Sequence, residues 1–221
     1  MTDRRGEMSV VSSTDKKGRP RRLTREEKSE QIKHLLIDAA AEVVGKYGYA
    51  EASVGRITEA ARVAQGTFYN YFETRQDIFD LLPPRYAEKM LQYISLKMDR
   101  RLEGLEREVK RFELFFDFFY ETTESARLVN EAPVMAPVGF ARFSKIVRDN
   151  YTIALQRSMD AGEIAHMDPD KLADIVDILI AIRNGLSQPR QGPAFKRKRV
   201  SPDLVNNYRQ FIKKALFDKA D

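Results

Sequence analysis

The stretch from Gln65 to Phe72 combines small polar groups with a high density of aromatic rings. It opens with Gln65-Gly66-Thr67, Asn70 follows, and the remaining positions are aromatic: Phe68, Tyr69, Tyr71 and Phe72. The Asn side-chain amide fits the hydrogen-bonding edge of adenine, and hydroxyl groups bind phosphate oxygens. Polar groups in the first turn of a short helix, held by an apolar base, are typical of a recognition helix in the DNA major groove.

The positive charge of the chain is concentrated in one short segment. Six basic residues and no acidic one lie between positions 16 and 25, whereas the other positions hold 32 basic and 33 acidic residues. Gly18-Arg19-Pro20 is similar to the core of an AT-hook, whose Arg side chains enter the narrow minor groove of A·T-rich DNA. The alternative is a solvated tail that only aids solubility. Because the segment directly precedes the first predicted helix, we favour a minor-groove arm formed by Arg19, Arg21 and Arg22.

The elements that position the polar stretch are predicted to be a helix, a tight turn and a second helix. Ser53 is a good N-cap for the first helix, whose apolar stripe recurs at helical spacing, at Ile57, Ala60 and Ala61. The turn covers residues 62–64, and the second helix is predicted over about 65–71. Thr74 and Asp77 have the spacing of a capping box, which predicts the start of a third helix.

With these elements in order, the segment resembles the DNA-binding domain of the tetracycline-repressor (TetR/AcrR) family of bacterial regulators. The residues that carry the resemblance are Ile37-Asp38-Ala39-Ala40, Tyr47-Gly48-Tyr49, Ile57, Ala61, Val63, Gly66-Thr67, Tyr69, Tyr71-Phe72 and Arg75. Three positions depart from the family pattern, which often has Gly at Arg62, Ser at Ala64 and Lys at Arg75. The missing Ser removes a side-chain N-cap worth about 1 kcal/mol, whereas Arg75 keeps its charge for a phosphate contact.

The resemblance implies a set of DNA contacts. The residues expected to approach base edges and phosphates at the start of the recognition helix are Gln65, Gly66, Thr67 and Asn70. The residues expected to hold the DNA backbone are Ser53, Thr58, Tyr69, Tyr71 and Arg75.

The whole chain is predicted to be all-α, because helical periodicity recurs along it and no strand pattern occurs. Thr24 and Glu27 have the spacing of a capping box for helix 1, and Gly48 is expected to end that helix. Proline residues are expected to break the later helices, at Pro83-Pro84, Pro133 and Pro137. The last two helices are predicted to start at Asp168-Pro169 and Ser201-Pro202, each an N-cap followed by Pro.

These elements predict three segments. Residues 1–23 are a flexible basic N-terminal arm, and residues 24–82 are the helix-turn-helix DNA-binding domain. Residues 83–221 are a helical domain that binds an effector and dimerises.

Aromatic residues are dense in the middle of the second domain. One helix carries Phe at five positions between 112 and 119 and is therefore expected to be buried on most sides. A packed core and a ligand cavity are both consistent with such a cluster, and the resemblance favours a cavity for a hydrophobic or aromatic small molecule. The predicted lining is Phe112, Phe115, Phe116, Phe119, Tyr120, Phe140, Phe143 and Tyr151, with Asp117, Glu121, Arg127 and Asn130 as candidate polar anchors.

The last two helices have apolar seams suited to a four-helix contact between two copies of the chain. The predicted dimer interface is Leu172, Ile175, Leu179, Ile182, Leu204, Tyr208 and Phe211; packing within the monomer's own core is the alternative. The basic run Lys196–Arg199 between these helices is either an exposed charge run or a contact with phosphate.

Several classes of function are disfavoured. The chain has no Cys, and its histidines, His34 and His166, have no partner at a catalytic or metal-binding spacing. Asp117 and Glu121 are an i,i+4 carboxylate pair common on helix surfaces. We therefore expect no enzyme activity, no cofactor and no metal. The apolar runs are too short to cross a bilayer, so we expect a cytoplasmic protein without membrane contact.

The sequence thus predicts a homodimeric transcriptional regulator, a repressor that binds a palindromic double-stranded operator and is released by a hydrophobic small molecule. Two alternatives remain open. One is an architectural DNA-binding protein that prefers A·T-rich DNA and has no effector. The other is a lipid-binding carrier module.

Overall fold

The computed structural model describes residues 24–122, 125–187 and 200–218. In these ranges the chain is helical and contains no strand, which confirms the predicted all-α class. The α-helices, numbered α1 to α10, are Arg25–Tyr47, Val54–Ala60, Gln65–Phe68, Arg75–Phe79, Leu82–Lys97, Gly104–Glu121, Ser125–Met135, Pro137–Asp160, Pro169–Ser187 and Pro202–Ile212. A π-helical turn, Lys213–Phe217, follows α10.

The chain divides into two compact units, Met1–Leu35 and Leu36–Asp221. In the first unit, the described part is the start of α1 and its capping box. The Thr24 amide donates to Glu27 Oε2 over 2.8 Å, and the Glu27 amide donates to Thr24 Oγ1 over 3.1 Å. The predicted capping box is therefore confirmed.

The second unit begins within α1 and includes the helix-turn-helix. Gly48 ends α1 with a φ of 84°, a left-handed conformation that Gly adopts without steric cost. Ser53 caps α2 by accepting a hydrogen bond from the Arg56 amide, and Thr74 and Asp77 form both hydrogen bonds of the predicted capping box.

Helix α3 is shorter than predicted. It ends at Phe68, and residues 69–71 continue as hydrogen-bonded turns rather than as helix. The cause is the anchoring of the aromatic side chains. Phe68 is fully buried and packs against Phe72, with the two ring centroids 5.3 Å apart, and Phe72 is 5% exposed.

The prolines begin helices more often than they break them. Pro83 and Pro84 lie in the first turn of α5, and Pro137 is the first residue of α8, where a missing N–H costs no hydrogen bond. Pro133 lies inside α7, near its C-terminal end, instead of separating two helices. The prediction that Pro83-Pro84 and Pro133 break helices is therefore wrong.

The C-terminal helices pack around one apolar core, to which α6, α8, α9 and α10 all contribute. Asp168 and Ser201 cap α9 and α10 as predicted, by accepting hydrogen bonds from the Lys171 and Leu204 amides. No helix among the described residues is long and apolar enough to cross a membrane.

The turn between α2 and α3 has two features that oppose folding. Arg62 has a φ of 55°, a left-handed conformation that costs a non-Gly residue roughly 1–2 kcal/mol. Ala64 is the N-cap of α3 and provides no side-chain hydrogen bond. These are two of the three positions at which the sequence departs from the family pattern.

We predict that Ala64→Ser raises the free energy of unfolding by about 1 kcal/mol, because the new hydroxyl can accept a hydrogen bond from the first turn of α3. Urea unfolding followed by circular dichroism measures the change. Ala60→Ser is the matched control, since this exposed position lies at the end of α2 and caps nothing. An equal effect of the two substitutions would contradict the assignment of the cap.

Candidate nucleic-acid interface and effector cavities

The α3 segment presents a polar, partly aromatic surface. Gln65, Gly66 and Asn70 are exposed, Thr67 is half-buried, and the Tyr69 ring is 56% exposed. Because Phe68 anchors the segment from below, the neighbouring side chains stay outside the core. The geometry thus brings the four predicted base-reading residues to one short exposed segment.

The residues predicted to hold the DNA backbone differ in their surroundings. Tyr71 is half-buried, and Arg75 is exposed with its guanidinium 5.2 Å from the centroid of the Phe79 ring. Ser53 is exposed and its hydroxyl already caps α2. Thr58 is 3% exposed, and its hydroxyl donates within α2 to the carbonyls of Val54 and Gly55.

Two sets of basic residues lie outside the described residues. They are the predicted minor-groove arm, Arg19, Arg21 and Arg22, and the run Lys196–Arg199.

Helix α7 and the start of α8 are hydrogen-bonded to the helix-turn-helix part of the chain. Glu131 Oε2 accepts from the Tyr49 amide over 3.0 Å, Arg127 donates to the Lys46 carbonyl over 3.2 Å, and Gln76 donates to the Met135 carbonyl over 3.1 Å. These contacts connect α7 to three separate points on that part.

The contact at the start of α8 is the closest of these. The Gly139 amide donates to Asp80 Oδ1 over 2.7 Å, and a Cβ at Gly139 would lie 2.5 Å from the Asp80 carbonyl oxygen. Any larger residue at Gly139 would therefore force the two backbones apart.

Two neighbouring cavities lie among the C-terminal helices. The first, of about 410 Å³, lies between α5, α6, α8 and α9, and its apolar wall includes Met90, Ile94 and Phe115. The second, of about 340 Å³, is closed by α7 as well. The two cavities share part of their wall, formed by Met90, Phe115, Val147, Ile180 and Asn184.

The predicted ligand residues fall into three groups. Phe115 and Tyr151 line the first cavity, and Phe115, Phe119, Phe140 and Phe143 line the second. Phe112 belongs to the apolar core and the partly buried Phe116 packs against it, whereas Tyr120 is 41% exposed and lines neither cavity.

Of the candidate polar anchors, Asn130 lines the second cavity and the other three line neither cavity. Glu121 pairs with Lys97 over 3.1 Å, and Arg127 pairs with Glu131 over 3.2 Å.

A buried ionic network that the sequence analysis did not identify lies beside the first cavity. Glu108 of α6 and Arg183 of α9 are 3% and 4% exposed, with Arg183 Nη2 2.6 Å from Glu108 Oε1. Tyr151 and Tyr208 donate their hydroxyl hydrogens to the same carboxylate, and Arg111 pairs with its other oxygen over 2.7 Å. One carboxylate therefore joins α6, α8, α9 and α10.

The network keeps Glu108 ionised. Burial alone would raise the pKa of the Glu108 carboxyl, but the Arg183 and Arg111 guanidiniums and the two tyrosine hydroxyls outweigh it and lower that pKa. Burial raises the pKa of the Tyr208 and Tyr151 hydroxyls above the usual value, so both remain protonated donors. A sequence signal was present, since Glu108 and Arg183 are opposite charges within the apolar stripes of two helices.

We predict that Glu108→Gln lowers the free energy of unfolding by about 3–5 kcal/mol, because Arg183 then stays buried without a counter-charge. Urea unfolding near neutral pH measures this. The control is Glu106→Gln on the same helix, whose partly exposed pair with Arg209 is worth under about 1 kcal/mol.

The same pair of variants gives a pH test. Since the pKa of Glu108 is lower in the folded state, its contribution is present above the unfolded value, about 4.3, and is lost as the pH falls through the folded value. Wild type should therefore lose more stability than Glu108→Gln on acidification. An equal loss would contradict the ionised network.

The predicted dimer residues divide between core and surface. Leu172, Leu179 and Tyr208 are buried in the apolar core, and Ile175, Ile182 and Leu204 pack against that core while partly exposed. Phe211 is 51% exposed.

Additional small or apolar residues are exposed on α9 and α10. Ile178 is 50% exposed, and Ala181, Gly185 and Ala215 are also exposed. Apart from its chain neighbours and the backbone of its own helix, no described residue has an atom within 4 Å of where a Cβ at Gly185 would lie. The described residues contain no group of three or more His, Asp or Glu side chains arranged to hold a metal ion.

Comparisons with known proteins agree with the geometry. Residues 36–82 match the family described as bacterial regulatory proteins, tetR family. The Fatty acid metabolism regulator protein of Bacillus subtilis (strain 168) is 41% identical over 69 residues, which are 31% of this chain and 34% of that protein. The chain thus aligns with about a third of the length of that relative.

Two further likenesses extend over more of the chain. The HTH-type transcriptional activator FasR of Mycolicibacterium smegmatis is 25% identical over 166 residues, 74% of this chain and 73% of FasR. The crystal structure of a TetR-family regulator from Syntrophomonas wolfei superposes with a TM-score of 0.66 at 18% identity, covering 84% of this chain and 95% of that one. The structural likeness supports the same all-α fold.

Proposed function

Because the chain belongs to the tetR family of bacterial regulatory proteins, we propose that it is a cytoplasmic, homodimeric transcriptional repressor. It binds a palindromic operator and is released by a hydrophobic small molecule. The observation that carries this proposal is the exposed α3 segment, whose polar residues stand on a buried aromatic anchor. The family consists of regulators rather than enzymes.

The DNA-reading surface is the start of α3 and the turn after it. Gln65, Gly66 and Thr67 approach base edges and phosphates, and Asn70 reads a base. Tyr69, Tyr71 and Arg75 hold the DNA backbone, and Ser53 helps from the start of α2; Tyr71 is half-buried and the other three are exposed. Thr58 does not belong to this surface, because its side chain is buried and its hydroxyl donates to carbonyls within α2. Arg19, Arg21 and Arg22 of the basic segment enter the adjacent minor groove.

We predict that Asn70→Ala relaxes specificity at one base position by about 1–3 kcal/mol, because it removes a base contact. Arg75→Gln should instead weaken binding to all duplexes and lower the salt dependence by about one phosphate charge, because it removes a backbone contact. Fluorescence anisotropy at several salt concentrations measures both effects.

The control for these variants is Lys145→Gln, which removes an exposed cation of α8 that pairs with Asp149 and has no predicted DNA contact. Its affinity should match wild type. A uniform loss of affinity in Asn70→Ala, with unchanged base preference, would contradict the base-reading role.

The proposed dimer interface combines α9 and α10 of two copies. Ile178, Ala181, Gly185, Phe211 and Ala215 recur at helical spacing and leave small and apolar surface exposed. The open space above Gly185 supports close approach of a second helix. Two copies related by a two-fold axis present two α3 segments to half-sites about one helical turn or more apart.

The effector belongs in the two cavities, and α7 transmits its binding. Helix α7 contributes Val129, Asn130 and Pro133 to the second cavity, and the same helix is hydrogen-bonded to Tyr49, Lys46 and Gln76. An effector that shifts α7 therefore changes the spacing of the two α3 segments, provided that it favours one arrangement.

An acyl chain is the effector that the cavities support best. Phe119, Phe140 and Phe143 supply an apolar lining to the second cavity. The relative with 41% identity is named a fatty acid metabolism regulator, which agrees with this choice. Since FasR is named an activator, transcription from the operator has to be measured for both repression and activation.

The deciding experiment is selection of bound duplexes from a random pool by the full-length protein at near-physiological salt, followed by sequencing. We expect a palindromic motif. Diffuse A·T enrichment without symmetry would overturn the proposal in favour of an architectural protein dominated by residues 16–25. Weak DNA binding together with a co-purifying lipid would favour the carrier module.

A further inference from the structure

The first cavity contains an excess of positive charge. Among the residues that the structure describes, five arginines line it and no carboxylate does: Arg100, Arg107, Arg111, Arg157 and Arg183. Cavities that take purely apolar ligands have few charges, so this lining calls for a different explanation.

Only part of this charge is neutralised inside the protein. Arg183 and Arg111 share the Glu108 carboxylate, and Arg107 pairs with Glu163 over 2.5 Å. Two carboxylates thus face five guanidiniums. The guanidinium groups of Arg100 and Arg157 form no hydrogen bond or ion pair with any described residue.

The paired arginines are also fixed in position. Arg107 donates to Ser158 over 3.0 Å as well as to Glu163, and the Gly104 amide donates to the other Glu163 oxygen over 3.0 Å. A rigid cationic wall of this kind attracts an oxyanion without reorganising, while the exposed Arg100 and Arg157 are free to close on it.

We propose that the first cavity binds the oxyanion head of an amphipathic effector, held by Arg100 and Arg157 in front of the Arg107 and Arg111 guanidiniums. The apolar body of the ligand extends past Phe115 and Val147, which line both cavities, into the second cavity. This inference rests on the proposed function and names its ligand class: a small molecule with an apolar chain and a carboxylate or phosphate group.

A headgroup series on the wild-type protein tests the class without any substitution. Decanoate, decyl phosphate and decanol, each below its aggregation concentration, are titrated into the full-length protein by isothermal calorimetry. We expect both anions to bind at least about tenfold more tightly than decanol, with the difference reduced at high salt. The tighter of the two anions identifies the head as carboxylate or phosphate.

Two variants test the residues. Arg157→Gln and Arg100→Gln should each reduce the anion-to-decanol affinity ratio about tenfold, because each removes one charge-assisted contact. The matched control is Arg101→Gln: Arg101 is adjacent to Arg100, pairs with Asp99 and does not line the cavity. It should keep the wild-type ratio.

The possible failures are distinct. The oxyanion site is refuted if the wild-type protein binds decanol as tightly as the anions. It is also refuted if Arg101→Gln lowers the affinity ratio as much as the other two variants do. Neither result contradicts the proposal that the protein is a transcriptional regulator. Operator affinity, measured separately on the selected duplex, tests the proposed function. Anions that bind in the expected order but leave operator affinity unchanged would support the site and refute release by this ligand class.

Discussion

A carboxylate and a guanidinium that are almost fully removed from water determine how the C-terminal helices pack. Glu108 and Arg183 are 75 positions apart in the chain and meet at 2.6 Å inside an apolar core. Each would be strongly destabilising there alone, because an unpaired buried charge loses its hydration without compensation. The helices must therefore bring both groups, and the two tyrosine hydroxyls that share the carboxylate, to one point. Arrangements that separate them are strongly disfavoured, so the network selects one packing of α6, α8, α9 and α10.

This rigid side of the domain contrasts with the side formed by α7. There the hydrogen bonds from α7 to the helix-turn-helix part, at Tyr49, Lys46 and Gln76, are part-buried or exposed. Polar contacts near solvent exchange for water at small cost. The second cavity lies between the fixed helices and α7, and it shares part of its wall with the first cavity. On the function proposed above, a ligand in this cavity cannot displace the helices fixed by the ionic network, so it displaces α7. Because α7 is hydrogen-bonded to the helix-turn-helix part, that part moves with it.

Local chemistry made much of the fold predictable from the sequence. The caps at Ser53, Thr74, Asp168 and Ser201 lie where their side chains can reach the first-turn amides, and this depends only on residues three apart. The end of α3 was predicted too late, because burial of Phe68 and Phe72 outweighed a helical periodicity that extended to Tyr71. The prediction that Pro83-Pro84 would interrupt a helix was wrong, because proline in the first turn of a helix removes no hydrogen bond.

The sequence by itself determined the all-α class, the helix starts, the exposed polar segment after Gln65 and the family resemblance, because each depends on neighbours along the chain. Only the tertiary structure decided which aromatic residues line a cavity and which fill the core, since that depends on residues from other helices. It also decided that Glu108 meets Arg183 and that arginines from a loop and three helices line one cavity. Charges on separate helices interact only when packing brings them together, and the spacing of residues within one helix does not predict which residues of another helix they will meet.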